Sequence, residues 1–231
     1  MRTIADNIKS VNERIAEAAI KSGRMPSDIT LVAVTKTVGI PEVKEAMAAG
    51  LTHFAENRVQ LLLEKQADPE LAYPDVDWHL IGHLQTNKVK YIIDRVSLIH
   101  SVDSLRLAAE IDRHAARAGK NMPVLLELNI SGEESKYGLA PAELDSFLEG
   151  FSELKNVTLK GLMTMAPLVV DDSEKHKIFY NLHKLYVDIS NMNLYNTSMS
   201  IMSMGMSSDF EVAISEGSNM VRIGTDIFYR G

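Results

Sequence analysis

Apolar and polar positions alternate in two rhythms along the chain. Near the N-terminus, Ile4, Ile8, Val11, Ile15 and Ala19 recur at intervals of three and four, with polar residues on most of the opposite face. That spacing predicts an amphipathic helix lying on a core. Asp6, Glu13 and Glu17 dilute the cationic face that a membrane-surface helix needs. From residue 30 onward, short β-rich apolar runs occupy 31–35, 52–56, 77–81, 97–102, 124–130, 158–165, 198–203 and 220–224. Most are separated by segments of helical period, such as 103–118, where Leu105, Ala108, Ala109, Ile111 and Ala115 share one face. Strand–helix alternation implies parallel strands joined by right-handed crossovers. Eight such units in about 200 residues predict an α/β fold, a closed (β/α)8 barrel preceded by an extra helix. An open doubly wound sheet is the alternative.

Helix starts are marked as well. Pro41 and Pro141 stand where helices should begin. Ser208 and Glu211 have the spacing of a capping box, and the polar segment 171–175 opens a long helix. No linker or low-complexity tract divides the chain, so residues 1–231 are expected to form one domain.

Composition narrows the function. The chain of 231 residues has 24 Lys and Arg against 31 Asp and Glu, a net charge of −7, which argues against a nucleic acid partner. Cys is absent, which excludes disulfides, thiolate metal sites and thiol nucleophiles. The N-terminus lacks the apolar stretch of a signal sequence, and no run approaches a transmembrane span. A soluble, cytoplasmic protein without a membrane partner is expected.

In barrels, chemistry gathers at the C-terminal ends of the strands. The first run ends in Thr35, Lys36 and Thr37, placing an amine after an apolar strand; it reads either as a solvated residue at the barrel mouth or as a desolvated amine that condenses with aldehydes. The second ends in Glu56, Asn57 and Arg58, where Asn57 reads either as a site residue or as a helix cap. The seventh run leads into SMGMSSD at 203–209, and the eighth ends in Arg222, Ile223, Gly224 and Thr225. Glycine turns, hydroxyls and opening helices at these two junctions form a candidate phosphate cradle. Met165 stands close enough to the end of the sixth run to face a ligand. His79 and His83, four apart, lack the glutamate of the helical zinc motif and read as hydrogen-bonding residues; no metal is expected. Neither a dinucleotide, a nucleoside triphosphate nor a serine-hydrolase motif occurs. An aldehyde-reactive lysine beside a phosphate cradle admits two ligands: pyridoxal 5′-phosphate (PLP), or a phosphosugar handled by a lysine-dependent aldolase. Arg222 suits an unprotonated PLP ring nitrogen, because two positive charges there repel.

Several segments together resemble the YggS-like PLP homeostasis family, which is related to the N-terminal barrel of alanine racemase. They are LVAVTK at 31–36, ENRVQ at 56–60, WHLIGHLQTNK at 78–88, NISGEESK at 129–136, GLMTMAP at 161–167, SMGMS at 203–207 and VRIGT at 221–225. The resemblance implies a fold-type III barrel with PLP bound covalently to Lys36. Carried over by motif, Arg222 faces the ring nitrogen, Ser207, Gly224 and Thr225 hold the phosphate, Asn57 lies beside the cofactor and Met165 packs against the ring. It further implies a monomer that buffers and delivers PLP, with apo PLP-dependent enzymes as recipients and no catalytic residues. The resemblance also implies Lys136, in its Glu-x-x-Lys motif, as a second place for PLP to interact. A weak amino-acid racemase is the alternative, disfavoured because the chain ends at Gly231 without the domain that carries the second acid/base in alanine racemase.

The sequence departs from the family pattern at Ala55, Leu61, Val38 and Asn219. None of these is a named cofactor contact.

Overall fold

The apolar runs close on one another in chain order. In the computed structural model, which describes residues 2–133, 136–167, 170–192 and 194–229, eight parallel strands form a closed barrel. They are β1 (Thr30–Val34), β2 (His53–Glu56), β3 (Asp77–Leu80), β4 (Leu98–Val102), β5 (Met122–Glu127), β6 (Val157–Met163), β7 (Thr197–Ser203) and β8 (Met220–Ile223). The last pairs with the first through Thr30–Met220 to Ala33–Ile223, which removes the open edges of the alternative sheet.

Helices cover the outside: α1 (Ile4–Lys21), α2 (Ile40–Ala48), α3 (Val59–Gln66), α4 (Val89–Ile92), α5 (Leu105–Arg117), α6 (Leu144–Phe151), α7 (Asp172–Ser190), α8 (Phe210–Ser215) and α9 (Thr225–Phe228). Between them and the sheet lies the main core, which includes Phe54, Trp78, Phe151, Phe179 and Phe210. The alternate strand positions turn inward, where Val32, Ala55, Leu98, Leu125, Met163 and Met220 fill the barrel.

The helix after β8 is only one turn long, and α1 takes its place, packing on α2, α8 and α9. Its stripe of Ile4, Ile8, Val11 and Ile15 is buried, each side chain contributing about 1.5–3 kcal/mol of transfer free energy. Thr3 caps it, with Asp6 completing a capping box. Asn7 donates to the carbonyls of Ile227 and Tyr229, both at 3.0 Å. Arg14 pairs with Glu211 and Asp226, each at 2.6 Å, and its guanidinium lies 4.5 Å from the centre of the Phe210 ring.

Two expectations are corrected. The fifth strand stops at Glu127 rather than running to 130. Beyond it, Asn129 Oδ1 accepts from the Gly132 amide at 3.0 Å, so a turn replaces the ladder. The capping box at 208 and 211 does not form. Asp209 is the residue before α8, and its carboxylate bonds backwards to the Met206 amide at 2.6 Å.

The departure at Asn219 has a structural role. The β7–β8 ladder is short, and Asn219 spans it, accepting from the Met202 amide and donating to the Ser200 carbonyl, both at 2.7 Å.

Candidate functional site

The C-terminal ends of the strands surround a cavity of about 1010 Å³. Lys36, Asn57, Met165, Ser207, Arg222, Gly224 and Thr225 all line it. Residues from both ends of the sequence are thereby brought into one chamber. Lys36 follows β1, is exposed, and forms no hydrogen bond or ion pair among the described residues. The amine therefore stands at the mouth in contact with water rather than desolvated.

Beneath Lys36 and Asn57 lies a buried charge cluster absent from the sequence reading. Lys65, from α3, donates to the Thr35 carbonyl at 2.7 Å and pairs with Glu56 Oε1. Thr35 Oγ1 donates to the same carboxylate at 2.6 Å, and the Asn57 amide reaches Glu56 Oε2 at 3.2 Å. Since Lys65 and Glu56 are both buried, the cluster welds the ends of β1 and β2. Asn57 does not cap a helix, because α3 starts after Arg58. Its Oδ1 is buried and has no hydrogen-bond partner among the described residues. Gly82 makes room for it: a Cβ at that position would meet the Asn57 carbonyl oxygen at 2.1 Å.

The loops after β7 and β8 form the opposite wall. Gly205 has φ +96°, a conformation that favours glycine, and turns the chain toward Ser207. Ser207 Oγ accepts from the Asp226 amide at 3.3 Å and so ties the two loops together. The helices that follow have six and four residues, too short to carry the dipole the sequence invited. The donors this wall offers are therefore loop amides and the hydroxyls of Ser207, Ser208 and Thr225.

Arg222 is buried on the inward face of β8. Its Nη1 donates to Ser203 Oγ at 2.6 Å and its Nη2 to the Thr164 carbonyl at 3.0 Å. Burial lowers its pKa to about 10, against the attraction of Glu127 and Asp209. Glu127, unmarked in the sequence reading, lines the same cavity. Burial pushes its carboxyl up to about 7, with Arg222 opposing and Asp103 reinforcing the shift. The available signal was a lone acid at the inward-facing end of an apolar strand.

His79 and His83 do not converge. His79 is buried in the barrel between His53 and His100, whereas His83 lines the mouth, bonded to Asp103 at 3.1 Å and stacked on Tyr137 at 4.2 Å. Lys136 lies beside the chamber, with its Nζ 3.5 Å from the Met165 carbonyl and 3.6 Å from Glu133. Its neighbours Glu134 and Ser135 in the motif fall outside the described residues. None of the helices among the described residues is long and apolar enough to cross a membrane.

Residues 3–230 match the family model described as alanine racemase, N-terminal domain. The chain is 41% identical over 228 residues to the pyridoxal phosphate homeostasis protein of Pseudomonas aeruginosa, covering 99% of this chain and 96% of that one. Among solved structures it is similar to an unknown protein from Bifidobacterium adolescentis, with TM-score 0.90 and 38% identity over 97% of this chain and 94% of the other. It is also similar to PipY of Synechococcus elongatus, solved with PLP bound, with TM-score 0.81 and 35% identity over 93% of this chain and all of that one. The chain belongs to the alanine racemase N-terminal domain family, and within it to the pyridoxal phosphate homeostasis proteins.

Proposed function

We propose that this chain binds PLP and serves in PLP homeostasis, holding the cofactor and releasing it to apo-enzymes in the cytoplasm, with residues 1–231 acting as one monomeric domain. One observation carries the reading: a primary amine, a buried cation, an unpartnered amide oxygen and a wall of loop hydroxyls share one chamber. PLP supplies an electrophilic aldehyde, an aromatic ring and an anionic phosphate, and the donor set fits all three. Of the two lysines that line the chamber, Lys36 and Lys88, Lys36 at the end of β1 is the proposed point of covalent attachment. Ser207, Gly224 and Thr225 lie on the wall that would receive the phosphate, and Ser207 already braces it. Arg222, held by Ser203 and Thr164, keeps positive charge at the inner end and so favours an unprotonated ring nitrogen. Met165 and Asn57 flank the ring position. The relative solved with PLP bound supports PLP as the ligand.

The role proposed is binding and transfer rather than catalysis. Titrating the purified protein with PLP should produce a visible absorption band that Lys36→Ala abolishes. Borohydride reduction and digestion should place the pyridoxyl mass on Lys36. A chain that takes up no PLP, or a Lys36→Ala protein with an unchanged band, would refute the reading. Incubation with L-alanine followed by chiral chromatography tests the non-catalytic part, which turnover in the ordinary enzymatic range of ~1–10³ s⁻¹ would overturn.

A further inference from the structure

Three imidazoles stand in single file through the barrel. His53 opens β2, His79 is the third residue of β3 and His100 the third of β4. His53 Nδ1 lies 3.3 Å from His79 Nε2, His79 Nδ1 lies 2.8 Å from His100 Nε2, and His100 Nδ1 lies 3.0 Å from Ser203 Oγ. Arg222 Nη1 donates to that same oxygen at 2.6 Å. The file begins at the N-terminal end of the sheet, where His53 is partly exposed and Asp77 Oδ2 lies 3.7 Å away. It ends at the guanidinium on the cavity wall. Glu127 and Asp209 act on that inner end.

The order of donors follows from one fact. A guanidinium only donates, so Ser203 Oγ accepts from Arg222. Ser203 Oγ has no other partner among the described residues than His100, so its single proton goes to His100 Nδ1. A neutral His100 then carries its proton on Nε2 and donates to His79 Nδ1. His79 in turn donates through Nε2 to His53 Nδ1. Burial keeps the rings neutral. It lowers His79 to about 3 and His100 well below the usual histidine range, the neighbouring ring adding to each and Arg222 adding at His100.

We propose that His100, backed by His79 and His53, is a positioning residue for Arg222: a one-way hydrogen-bonded column that fixes the Ser203 oxygen as an acceptor and so holds the guanidinium at the cavity. An apolar residue at position 100 would leave the Ser203 proton without a partner and free the hydroxyl to turn that proton toward Arg222.

Two-bond ¹H–¹⁵N correlation spectra of the labelled chain, recorded at pH 7 without PLP, test the column directly. His79 and His100 should both be neutral rings protonated on Nε2. Protonation on Nδ1, or on both nitrogens, at either ring would overturn the proposal. The positioning role rests on the PLP reading and is read by equilibrium dialysis. His100→Leu should weaken PLP binding about five- to tenfold, the loss of the one neutral hydrogen bond between Ser203 and His100. His100→Gln accepts from Ser203 and donates to His79, and should restore affinity to within about twofold of the parent. A folded His100→Leu protein of parental affinity would overturn the role. If that variant does not fold, Ser203→Ala replaces it, and unchanged affinity there is equally fatal. A parent protein that binds no PLP refutes the PLP reading instead, and the tautomers alone then decide the column.

Discussion

Glu127 and Arg222 line one cavity and act on each other electrostatically, yet they form neither a hydrogen bond nor an ion pair. Arg222 gives its protons to Ser203 and Thr164, so the carboxyl beside it remains buried without a bonded cation. The ligand chamber therefore contains an acid that changes charge near neutrality, close to a cation that does not.

The folded protein holds the Glu127 proton more tightly than the unfolded chain does, about 7 against 4.5. The Glu127 contribution to stability is constant below pH 4.5 and falls as pH rises from there through 7. Glu127→Gln should thus gain on the order of 1–3 kcal/mol over the parent at pH 8 and nothing at pH 4. Urea unfolding at the two pH values measures this, and an equal difference at both would contradict it.

His79 and His100 act in the opposite sense. Their folded values lie below the unfolded 6.5, so their contribution is complete above that pH and is lost as pH falls toward 3. In the parent, Glu127 offsets part of this loss. In the Glu127→Gln protein the decline between pH 7 and 5 should reach about 2–4 kcal/mol, since each excess proton taken up on unfolding costs ~1.4 kcal/mol per pH unit. A flat profile in that variant would mean the two rings are not held neutral.

Lys65→Met should destabilise the fold by about 3–5 kcal/mol, because it strands the buried Glu56 carboxylate. Adding Glu56→Gln should recover part of the loss, as the uncompensated charge disappears. Denaturant unfolding of the single and double variants decides this, and a single-variant loss below about 1 kcal/mol would show that the pair is not a structural weld.

Ser207→Ala should weaken PLP retention about two- to tenfold, the range of one modest hydrogen bond. Dialysis against a series of PLP concentrations gives the ratio. Identical affinities would leave Ser207 as a brace between its own loop and the Asp226 amide.

The barrel was legible because its signal is periodic: Val32 and Leu125 alternate with outward residues, and junction residues follow at the strand ends. The residues that line the cavity were legible for the same reason, as Lys36, Asn57 and Arg222 each break an apolar run near its end. Boundaries were less so. Leu128 and Ile130 continue the apolar pattern of β5, and only the turn made by Asn129 shows where the strand stops. Ser208 and Glu211 have cap spacing, yet Asp209 makes the stronger local bond. The histidine column could not be read along the chain, since Ser203 and His100 meet only when the sheet closes. Lys65 was hidden on α3, where a buried lysine reads like any solvated one.

The arrangement in which α1 fills the slot beside the short α9 sets an order on assembly. Residues 4–21 precede every strand, but the surface that accepts their isoleucine stripe is finished only by residues 225–229, whose carbonyls receive Asn7. Until residues 225–229 are in place, the greasy side of that helix has only part of its seat. Docked there, the helix sets Arg14 against Asp226, next to Thr225, so a segment distant in the chain latches the chamber from outside.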